Sequence, residues 1–229
     1  MTKPSTIALD GPAASGKTTV GESLAARLGY LLFDTGVMYR AVTLVALRRG
    51  VPVEDEEAIT ALCEEIEIDV RPPAPGSAQL YAVWVDGEDI TFDLREPAVD
   101  AHVSLVSAYR GVREELSRQQ RRIGARGRVV MVGRDIGTVV LPDADLKIYL
   151  DATVEERSRR RWKDSQLRGE ERTFEEILAG LVRRDEIDSN REHAPLRAAP
   201  DAMVIDTTEL SVPQVVARIE AMIEEIYDP

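Results

Sequence analysis

The sequence predicts a doubly wound α/β fold, in which helices cover both faces of a five-stranded parallel sheet that carries a small antiparallel-sheet insertion. Five short, nearly continuous apolar segments recur along the 229 residues, as is typical of parallel strands buried on both faces. Stretches with helical periodicity separate them, so right-handed crossovers can connect neighbouring strands. Between residues 66 and 94 the apolar period changes to two, which indicates the inserted sheet.

The elements of the parallel part follow from apolar patterning and from glycine and proline stops. Val20, Leu24 and Leu28 mark the apolar side of the first helix. Gly29 ends that helix, and Gly50 ends the second. The five sheet strands are predicted at residues 6–10, 31–34, 129–132, 146–150 and 203–206. Helices are predicted at residues 16–28, 38–49, 54–65, 98–123 with a break near 109–111, 153–168, 174–188 and 212–226.

The inserted segment carries its own hairpin signals. Ile66, Ile68 and Val70 alternate with charged residues, which predicts a strand that is buried on one face. Asp86-Gly87 is a preferred two-residue hairpin turn. In chain order, the predicted parts are a strand at 66–70, a proline-rich turn at 72–76, a strand at 80–85, the turn at 86–87 and a return strand that begins at Ile90-Thr91.

Charge is distributed unevenly along the chain, which bears on the kind of ligand. The chain has 29 lysines and arginines against 41 acidic residues, a net charge of −12. Residues 110–197 hold 20 of the cations and 17 of the acids, so this region alone is net positive. An acidic protein repels the backbone of DNA or RNA, so a nucleic acid is a poor partner. The cation-rich region suits a small anion held in a cleft, although arginines paired with acids along helices explain the same composition.

Composition also excludes several classes of protein. The sequence has no apolar stretch of about 18 residues, so we expect no membrane partner. No apolar signal core stands near the N-terminus, so we expect a cytoplasmic protein. The single cysteine, Cys63, forms no internal disulfide, and the two histidines lack the HExxH spacing of a zinc site. We expect the chain to be a monomer.

The segment between the first strand and the first helix matches a phosphate-binding loop. Residues 11–18 read Gly-Pro-Ala-Ala-Ser-Gly-Lys-Thr and fit the pattern G-x-x-x-x-G-K-[ST]. In such a loop the backbone N–H groups point at phosphate oxygens, and the dipole of the following helix favours the same anion. Lys17 can reach the β- and γ-phosphates, and the Thr18 hydroxyl can bind Mg²⁺. The predicted nucleotide contacts are Gly11, Pro12, Ala13, Ala14, Ser15, Gly16, Lys17, Thr18 and Thr19.

A phosphate-binding loop indicates a nucleoside triphosphate but leaves the reaction open. Signalling GTPases usually carry the strings D-x-x-G and [NT]-K-x-D, and neither occurs in this sequence. Large motor ATPases need a longer chain than 229 residues. A compact kinase for a small acceptor is therefore the class that the sequence favours.

Two strand ends carry polar side chains at the edge of the sheet where ligands of such folds gather. After the second strand, Asp34 can order Mg²⁺ and Arg40 can hold a phosphate through two hydrogen bonds. After the strand at 129–132, Arg134 can bind phosphate and Asp135 can accept from the exocyclic amine of a base. The alternative interpretations are a helix start packed into the core and a charged surface turn.

A third group of charged residues lies at the end of the predicted helix at 174–188. Arg184 and Asp188 are four residues apart and share a helix face, and Arg191 follows them. Arginines that begin with Arg157 also recur in the helix before it, where they can face phosphate. Ion pairs on a solvated helix face explain both patterns as well.

Together these segments resemble the bacterial cytidylate kinases. The phosphate-binding loop alone is generic, but its combination with the strings GRDIGTVV and RDEIDSNR is specific. The insertion resembles the extended monophosphate-binding part of this family, whereas Thr35 stands where serine is common. The matching strings are Asp10-Gly11-Pro12 with the loop, Asp34-Thr35-Gly36 through Tyr39-Arg40, Val132 through Val140, Pro142-Asp143-Ala144, and Arg184-Asp185 through Leu196.

The resemblance implies a P-loop kinase fold and transfer of the γ-phosphoryl group of ATP to CMP or dCMP, with Mg²⁺ as cofactor. It implies catalytic roles for Lys17, Arg134, Arg157 and Arg191. It implies that the acceptor contacts Thr35, Tyr39, Arg40, Ser104, Arg113, Arg134, Asp135, Arg184, Asp188 and Arg191. Among these, Ser104, Arg113 and Asp135 would read cytosine, and Arg184 and Asp188 would meet the ribose. Mg²⁺ is expected at Thr18 and Asp34.

The expected organisation is a single P-loop kinase unit over residues 1–229. Its parts are a core at about 1–35, 95–152 and 190–229, a monophosphate-binding part with the insertion at about 36–94, and a lid at about 153–172. Two alternatives remain open on the residues alone. The acceptor could be UMP, AMP or a non-nucleotide such as shikimate, or the chain could be an ATP-gated binding module without transfer activity.

Overall fold

Strands and helices alternate along most of the chain in the computed structural model, which describes residues 3–77, 79–191 and 194–227. The strands are β1 (Thr6–Asp10), β2 (Leu31–Asp34), β3 (Ile68–Arg71), β4 (Ala82–Val85), β5 (Glu88–Asp89), β6 (Val129–Val132), β7 (Leu146–Asp151) and β8 (Met203–Asp206). The helices are α1 (Lys17–Leu28), α2 (Gly36–Arg49), α3 (Glu56–Glu65), α4 (Pro97–Val106), α5 (Arg110–Gly124), α6 (Val154–Leu167), α7 (Phe174–Asn190) and α8 (Val212–Tyr227). Shorter turns are a 3₁₀ turn at Asp93–Arg95 and a π-helical turn at Ile136–Val140.

Five of the strands form a parallel sheet in the order β2-β6-β1-β7-β8. β1 and β7 are parallel neighbours, with Leu9 opposite Ile148. β7 and β8 are also parallel neighbours, with Leu150 opposite Ile205. All four of these side chains are buried, as expected for strands that helices cover on both faces. The predicted five-stranded parallel sheet is confirmed.

The chain divides into two compact units, of which the first comprises Met1–Gly29 and Val130–Pro229. This unit contains β1, β7 and β8 together with α1, α6, α7 and α8. Helices α1 and α8 contact each other, and Leu24 of α1 and Ile219 of α8 are fully buried. Among the described helices of the whole chain, none has the length and apolar character needed to cross a membrane.

The second unit, Tyr30–Val129, holds β2, helices α2 to α5 and the small antiparallel sheet β3-β4-β5. Val70 of β3 lies opposite Val83 of β4, and both are buried. The largest fully buried side chains of this unit come from its strands, its helices and the segments after α3 and β5: Phe33, Met38, Leu44, Ile59, Ile66, Ile68, Ile90, Leu116 and Ile123. The predicted antiparallel insertion is therefore confirmed.

The prediction that the return strand of the hairpin begins at Ile90-Thr91 is wrong. β5 is Glu88–Asp89 and follows the turn directly. Asp86 and Gly87 have φ of 50° and 86°, and a type I′ hairpin turn requires positive φ at both of its central residues. Because this turn consists of only two residues, strand pairing resumes at the next residue. Ile90 continues the contact, since its N–H donates to the Val83 carbonyl at 2.9 Å.

Nearby carboxylates accept backbone N–H groups where two helices of the second unit begin. α2 begins two residues earlier than predicted, at Gly36, whose N–H donates to the Asp34 carboxylate at 3.1 Å. α3 begins at Glu56, two residues later than predicted, because Asp55 caps it by accepting from Ala58 N–H at 3.0 Å. Local carboxylates at these helix starts therefore shift both boundaries by about half a turn.

The break predicted within the long helical stretch at 98–123 is confirmed. α4 ends at Val106 and α5 begins at Arg110. Tyr109 lies in the break, where its side chain is buried and its hydroxyl donates to the Val53 carbonyl at 2.8 Å. The hydroxyl gains a partner in the interior, so the bend between the two helices costs no unsatisfied polar group.

Candidate active site

The segment between β1 and α1 forms a tight loop that is packed against β7. At Gly11 φ is +146°, and a Cβ atom there would lie 2.1 Å from the Leu150 carbonyl oxygen, so no residue with a side chain fits. The helix α1 begins at Lys17, directly after Gly16. Its first backbone N–H groups and the positive end of its dipole therefore lie at the loop. A curled backbone that leads into a helix start is the arrangement that binds phosphate in such loops.

Lys17 holds this loop in its curled conformation. The side chain is 5% exposed, and its ammonium group donates to the Pro12 carbonyl at 2.6 Å and to Ser15 Oγ at 3.3 Å. Both partners belong to the loop itself, so the positive charge lies within its curve. A cation at this place attracts the oxygens of a bound triphosphate.

The end of β8 and helix α6 support the loop from outside. The Thr207 hydroxyl lies within hydrogen-bond distance of the carbonyl oxygens of Ser15 (3.3 Å) and Asp151 (3.0 Å). Arg160 of α6 donates to the Thr207 carbonyl at 2.5 Å, and one of its terminal nitrogens is 3.8 Å from the Cβ position of Gly16. A strand end, a loop and a helix therefore meet around one buried hydroxyl.

Arg157 joins the loop to the helix α7. Its side chain is buried, and it donates to the carbonyl oxygens of Ala13 (3.1 Å) and Ala152 (3.0 Å). It also binds the Asp185 carboxylate through two nitrogens, at 3.2 and 2.6 Å. A guanidinium with this many fixed partners is rigid, so the loop and α7 are held at a defined separation.

Five charged residues from two segments of the first unit form what we call the arginine cluster: Arg134, Asp135, Arg184, Asp188 and Arg191. Arg134 contacts the Asp188 carboxylate at 3.2 Å, and Arg184 lies 4.0 Å from the same oxygen. Arg191 lies 3.5 Å from Asp135 and 3.9 Å from Asp188. The strand-end pair and the helix-end group that the sequence singled out are therefore brought together.

The arginine cluster carries more positive than negative charge, since three guanidinium groups surround two carboxylates. Asp135 is buried, and the side chains of Arg134 and Asp188 are 21% and 15% exposed. Partial burial strengthens these electrostatic contacts relative to those of a fully solvated surface. The cluster is therefore suited to a small anion with hydrogen-bonding groups.

In the second unit, Tyr39 and Arg113 come together. The Arg113 guanidinium lies over the Tyr39 ring, 5.7 Å from its centroid, and one nitrogen donates to the Ser107 carbonyl at 3.3 Å. This cation–π contact orients a half-buried guanidinium at the junction of α4 and α5. The two predicted acceptor contacts are thus neighbours, although they are 74 positions apart in the sequence.

The remaining predicted acceptor residues of this unit lie around α2 and α4. Arg40 pairs with Asp100 at 2.6 Å and donates to the Leu94 carbonyl at 3.1 Å. Ser104 is exposed and stands one helical turn after Asp100, on the same face of α4. Thr35 is buried at the start of α2. Arg40 and Ser104 are therefore presented on one side of the contact between α2 and α4.

Sequence reasoning assigned no role to three residues to which the structure gives buried polar contacts: Asp10, which accepts from the N–H groups of Ile136 and Gly137, Thr207 and Asp185. Each stands where a signal exists. Asp10 is a charged residue at the end of an otherwise apolar strand, and Thr207 follows the end of β8. Asp185 stands beside Arg184 in the helix that was singled out. The rule that sites form at strand ends could have identified Asp10 and Thr207.

Fold and loop together define a class. The structure resembles the shikimate kinase of Bacteroides thetaiotaomicron with a TM-score of 0.50 and 14% identity, over 96% of this chain and 98% of that one. It also resembles an uncharacterized protein of Eubacterium ventriosum with a TM-score of 0.52 and 12% identity, over 97% and 99% of the two chains. These likenesses concern the fold alone, and with the lysine-bearing phosphate loop they define the P-loop kinase fold.

The sequence comparisons are more specific. The family model of cytidylate kinase matches residues 7–225. The cytidylate kinase of Roseiflexus castenholzii is 48% identical over 229 residues, which cover 100% of this chain and 97% of the relative. That of Bacillus pumilus is 46% identical over 219 residues, with 96% of both chains covered. The chain belongs to the cytidylate kinase family, and the resemblance noted from its motifs is confirmed.

Proposed function

We propose that the chain transfers the γ-phosphoryl group of ATP to CMP or dCMP, which gives ADP and CDP or dCDP in pyrimidine nucleotide metabolism. The observation that carries this proposal is the match to the cytidylate kinase family over residues 7–225. The curled loop at residues 11–18, which leads into the start of α1, supports the proposal that ATP binds there.

The proposed acceptor contacts are, in the first unit, the arginine cluster and, in the second unit, residues around α2 and α4. Guanidinium groups suit the acceptor phosphate because they form two parallel hydrogen bonds with it. Carboxylates suit the hydroxyl groups of a ribose and the amino group of cytosine, since both groups donate hydrogen bonds. The proposed contacts are Thr35, Tyr39, Arg40, Ser104, Arg113, Arg134, Asp135, Arg184, Asp188 and Arg191.

The proposed reaction is an in-line phosphoryl transfer. An oxygen of the CMP phosphate forms a bond to the γ-phosphorus while the bond to the bridging oxygen of the β-phosphate breaks, and ADP leaves. The attacking oxygen is already negatively charged at neutral pH, so no general base is required. Lys17, Arg134, Arg157 and Arg191 are proposed to offset the charge that is spread over the transferred group.

Water must be kept from the γ-phosphate, because it competes with CMP as a nucleophile. We propose that α6 and the segment after it act as the predicted lid at about 153–172. The buried contacts of Arg157 attach the start of α6 to the loop at Ala13 and to α7 at Asp185. Movement of α6 would therefore be transmitted to both elements.

Mg²⁺ is the proposed cofactor, with Thr18 and Asp34 as its protein ligands. Thr18 is an exposed residue in the first turn of α1, so its hydroxyl stands beside the loop. Mg²⁺ prefers oxygen ligands and keeps several waters, so one hydroxyl and one carboxylate suit it better than a closed protein cage. When bound, the ion neutralises charge on the phosphates.

Removal of Mg²⁺ is expected to abolish transfer. With EDTA in excess, formation of CDP should fall to background, and added MgCl₂ should restore it. Thr18→Val keeps the shape of the side chain but removes the hydroxyl, so we expect about a tenfold rise in the Mg²⁺ concentration that gives half-maximal rate. A variant with an unchanged Mg²⁺ dependence would show that Thr18 does not hold the ion.

A panel of acceptors tests the proposed function. ADP release is measured in a coupled assay with CMP, dCMP, UMP, AMP and shikimate at equal concentrations. We expect CMP and dCMP to be turned over with a kcat/KM at least about tenfold above that of any other acceptor. Preference for a non-cytidine acceptor would refute the CMP assignment, and ATP binding without ADP release for any acceptor would indicate a binding module.

We also propose that the chain acts as a monomer in the cytoplasm. Its single cysteine cannot form a disulfide within the chain, which agrees with a reducing compartment. Light scattering of the purified protein measures the molar mass, which should be close to the 25.4 kDa of one chain.

A further inference from the structure

Asp10 connects the strand before the phosphate loop to the turn that follows β6. The side chain is 4% exposed and lies at the end of β1, directly before Gly11. One carboxylate oxygen accepts from the Ile136 N–H at 2.8 Å, and the other accepts from the Gly137 N–H at 2.7 Å. Both oxygens of a buried carboxylate are therefore used to hold backbone.

These two N–H groups belong to the first turn of the π-helical segment Ile136–Val140, which needs a cap at its start. Asp135 is the residue at the cap position, but its side chain makes no capping hydrogen bond. Asp10 supplies that cap from another strand. The Gly133 N–H also donates to the Leu9 carbonyl at 3.1 Å, so the segment that contains Arg134 and Asp135 is attached to β1 on both sides.

We propose that Asp10 is a positioning residue for the acceptor: its carboxylate orients the turn that presents Arg134 and Asp135 to the arginine cluster. This inference rests on the proposed function only in taking that cluster as the acceptor site. Asp10 reaches the acceptor through backbone alone, since its oxygens are engaged by the two N–H groups. The donor loop begins at the next residue, so one side chain fixes the end of the donor strand and the acceptor turn together.

The surroundings of Asp10 make its charge depend on pH. Burial, and to a smaller extent the nearby Asp135, raise the pKa of Asp10 to about 6, against the lowering effects of the two N–H groups and Lys17. Tyr149 stays a neutral phenol, because burial raises its pKa to about 12. The Lys147 ammonium is paired with another carboxylate at 2.7 Å. A proton on Asp10 turns one acceptor oxygen into a hydroxyl that faces an N–H, so one of the two bonds is lost.

Asp10→Asn tests the proposal because it imitates the protonated state without a change of shape. At pH 8 we expect kcat/KM for CMP to fall about 10- to 100-fold, since one charge-assisted hydrogen bond is replaced by a contact between two donors. Affinity for a non-hydrolysable ATP analogue should not weaken. Asp145→Asn is the matched control, because Asp145 also accepts a backbone N–H of β1, that of Thr6, at 2.8 Å. This control should keep wild-type kinetics.

The ratio of wild-type to Asp10→Asn kcat/KM is then measured from pH 8 to pH 5, which cancels the titration of CMP itself. We expect the ratio to fall about five- to tenfold between pH 8 and pH 5, because with a pKa of about 6 most of wild-type Asp10 is protonated at pH 5. A ratio that is constant with pH, or a variant that loses ATP affinity and CMP affinity equally, would show that Asp10 has a purely structural role and would overturn the proposal.

A measurement on the wild-type protein keeps the test independent of both folding of the variant and the identity of the acceptor. In NMR spectra of the ligand-free protein, the amide protons of Ile136 and Gly137 should shift with a common midpoint near the pKa of about 6 expected for Asp10. Arg134 Nε–H should follow the same midpoint. If the amide shifts of Ile136 and Gly137 show no common midpoint near this pH, the inference is contradicted even if CMP is the acceptor. If they show that midpoint, the inference is supported even if another acceptor is found.

Discussion

Replacing Lys17 by methionine or alanine lowers kcat by about 100- to 1,000-fold, while the chain keeps its fold. The ammonium group lies within the curve of the phosphate loop, where it donates to Pro12 and Ser15. In the reaction it is proposed to neutralise charge that develops on the transferred phosphoryl group, and loss of one such preorganised donor has an effect of this size. Methionine retains the length of the buried stem, so it removes the charge with the least disturbance of packing.

Steady-state assays with CMP and ATP measure kcat, and circular dichroism with thermal unfolding measures the fold. Lys3→Ala is the matched control, because Lys3 is an exposed lysine of the same unit. Its kcat should stay at the wild-type value. Near-normal turnover by both Lys17 variants would refute the assignment of Lys17.

Replacing Arg134 by alanine is expected to lower kcat/KM for CMP by about 100- to 1,000-fold. The affinity for ATP should change little, because the loss concerns the binding and reaction of the acceptor. The Arg134 guanidinium contacts the Asp188 carboxylate at 3.2 Å within the arginine cluster. Its removal takes away a hydrogen-bond donor to the acceptor phosphate, and it leaves the partly buried Asp188 carboxylate with less positive charge around it. Arg134→Lys should recover only part of the activity, because an ammonium group cannot form the two parallel bonds of a guanidinium.

The control for this substitution is Arg27→Ala. Arg27 also pairs with a carboxylate, that of Glu220 at 2.8 Å, but at the end of α1 remote from the loop. The side chains of Arg27 and Glu220 are 50% and 31% exposed, so loss of this surface pair should change the free energy of unfolding by less than about 1 kcal/mol and leave kinetics unchanged. Isothermal titration with CMP in the presence of an ATP analogue separates acceptor binding from chemistry. Wild-type CMP affinity and turnover in Arg134→Ala would remove Arg134 from the site.

Much of the parallel sheet could be predicted from the sequence, because its signals are local. Each of the five strands is a continuous apolar run between helical segments, and every predicted strand agrees with the structure within one residue. The π-helical turn at Ile136–Val140 could not be predicted in this way. Its cap is Asp10, which stands 126 positions before Ile136, so a pattern read along the chain does not contain the contact.

The site was predictable to a similar extent. Strand ends identified Arg134 and Asp135, and helical spacing identified Arg184 and Asp188. Spacing alone could not rank the partners of Asp188: Arg184 on its own helix lies 4.0 Å away and is 62% exposed, whereas Arg134 from another segment lies at 3.2 Å. Which arginine lies closer to Asp188 depends on how the elements pack against each other, and separation along the sequence does not reveal that packing.

The close packing of Gly11 against the Leu150 carbonyl has a consequence for nucleotide binding. The sheet acts as a template for the loop, because β7 packs against Gly11 from outside and Lys17 donates to the Pro12 carbonyl from within. The conformational entropy lost on ordering these residues is therefore met during folding and does not weaken association with the triphosphate. A substitution at Leu150 that displaces its backbone would weaken the packing against Gly11. It would lower the affinity for the triphosphate without slowing the chemical step itself.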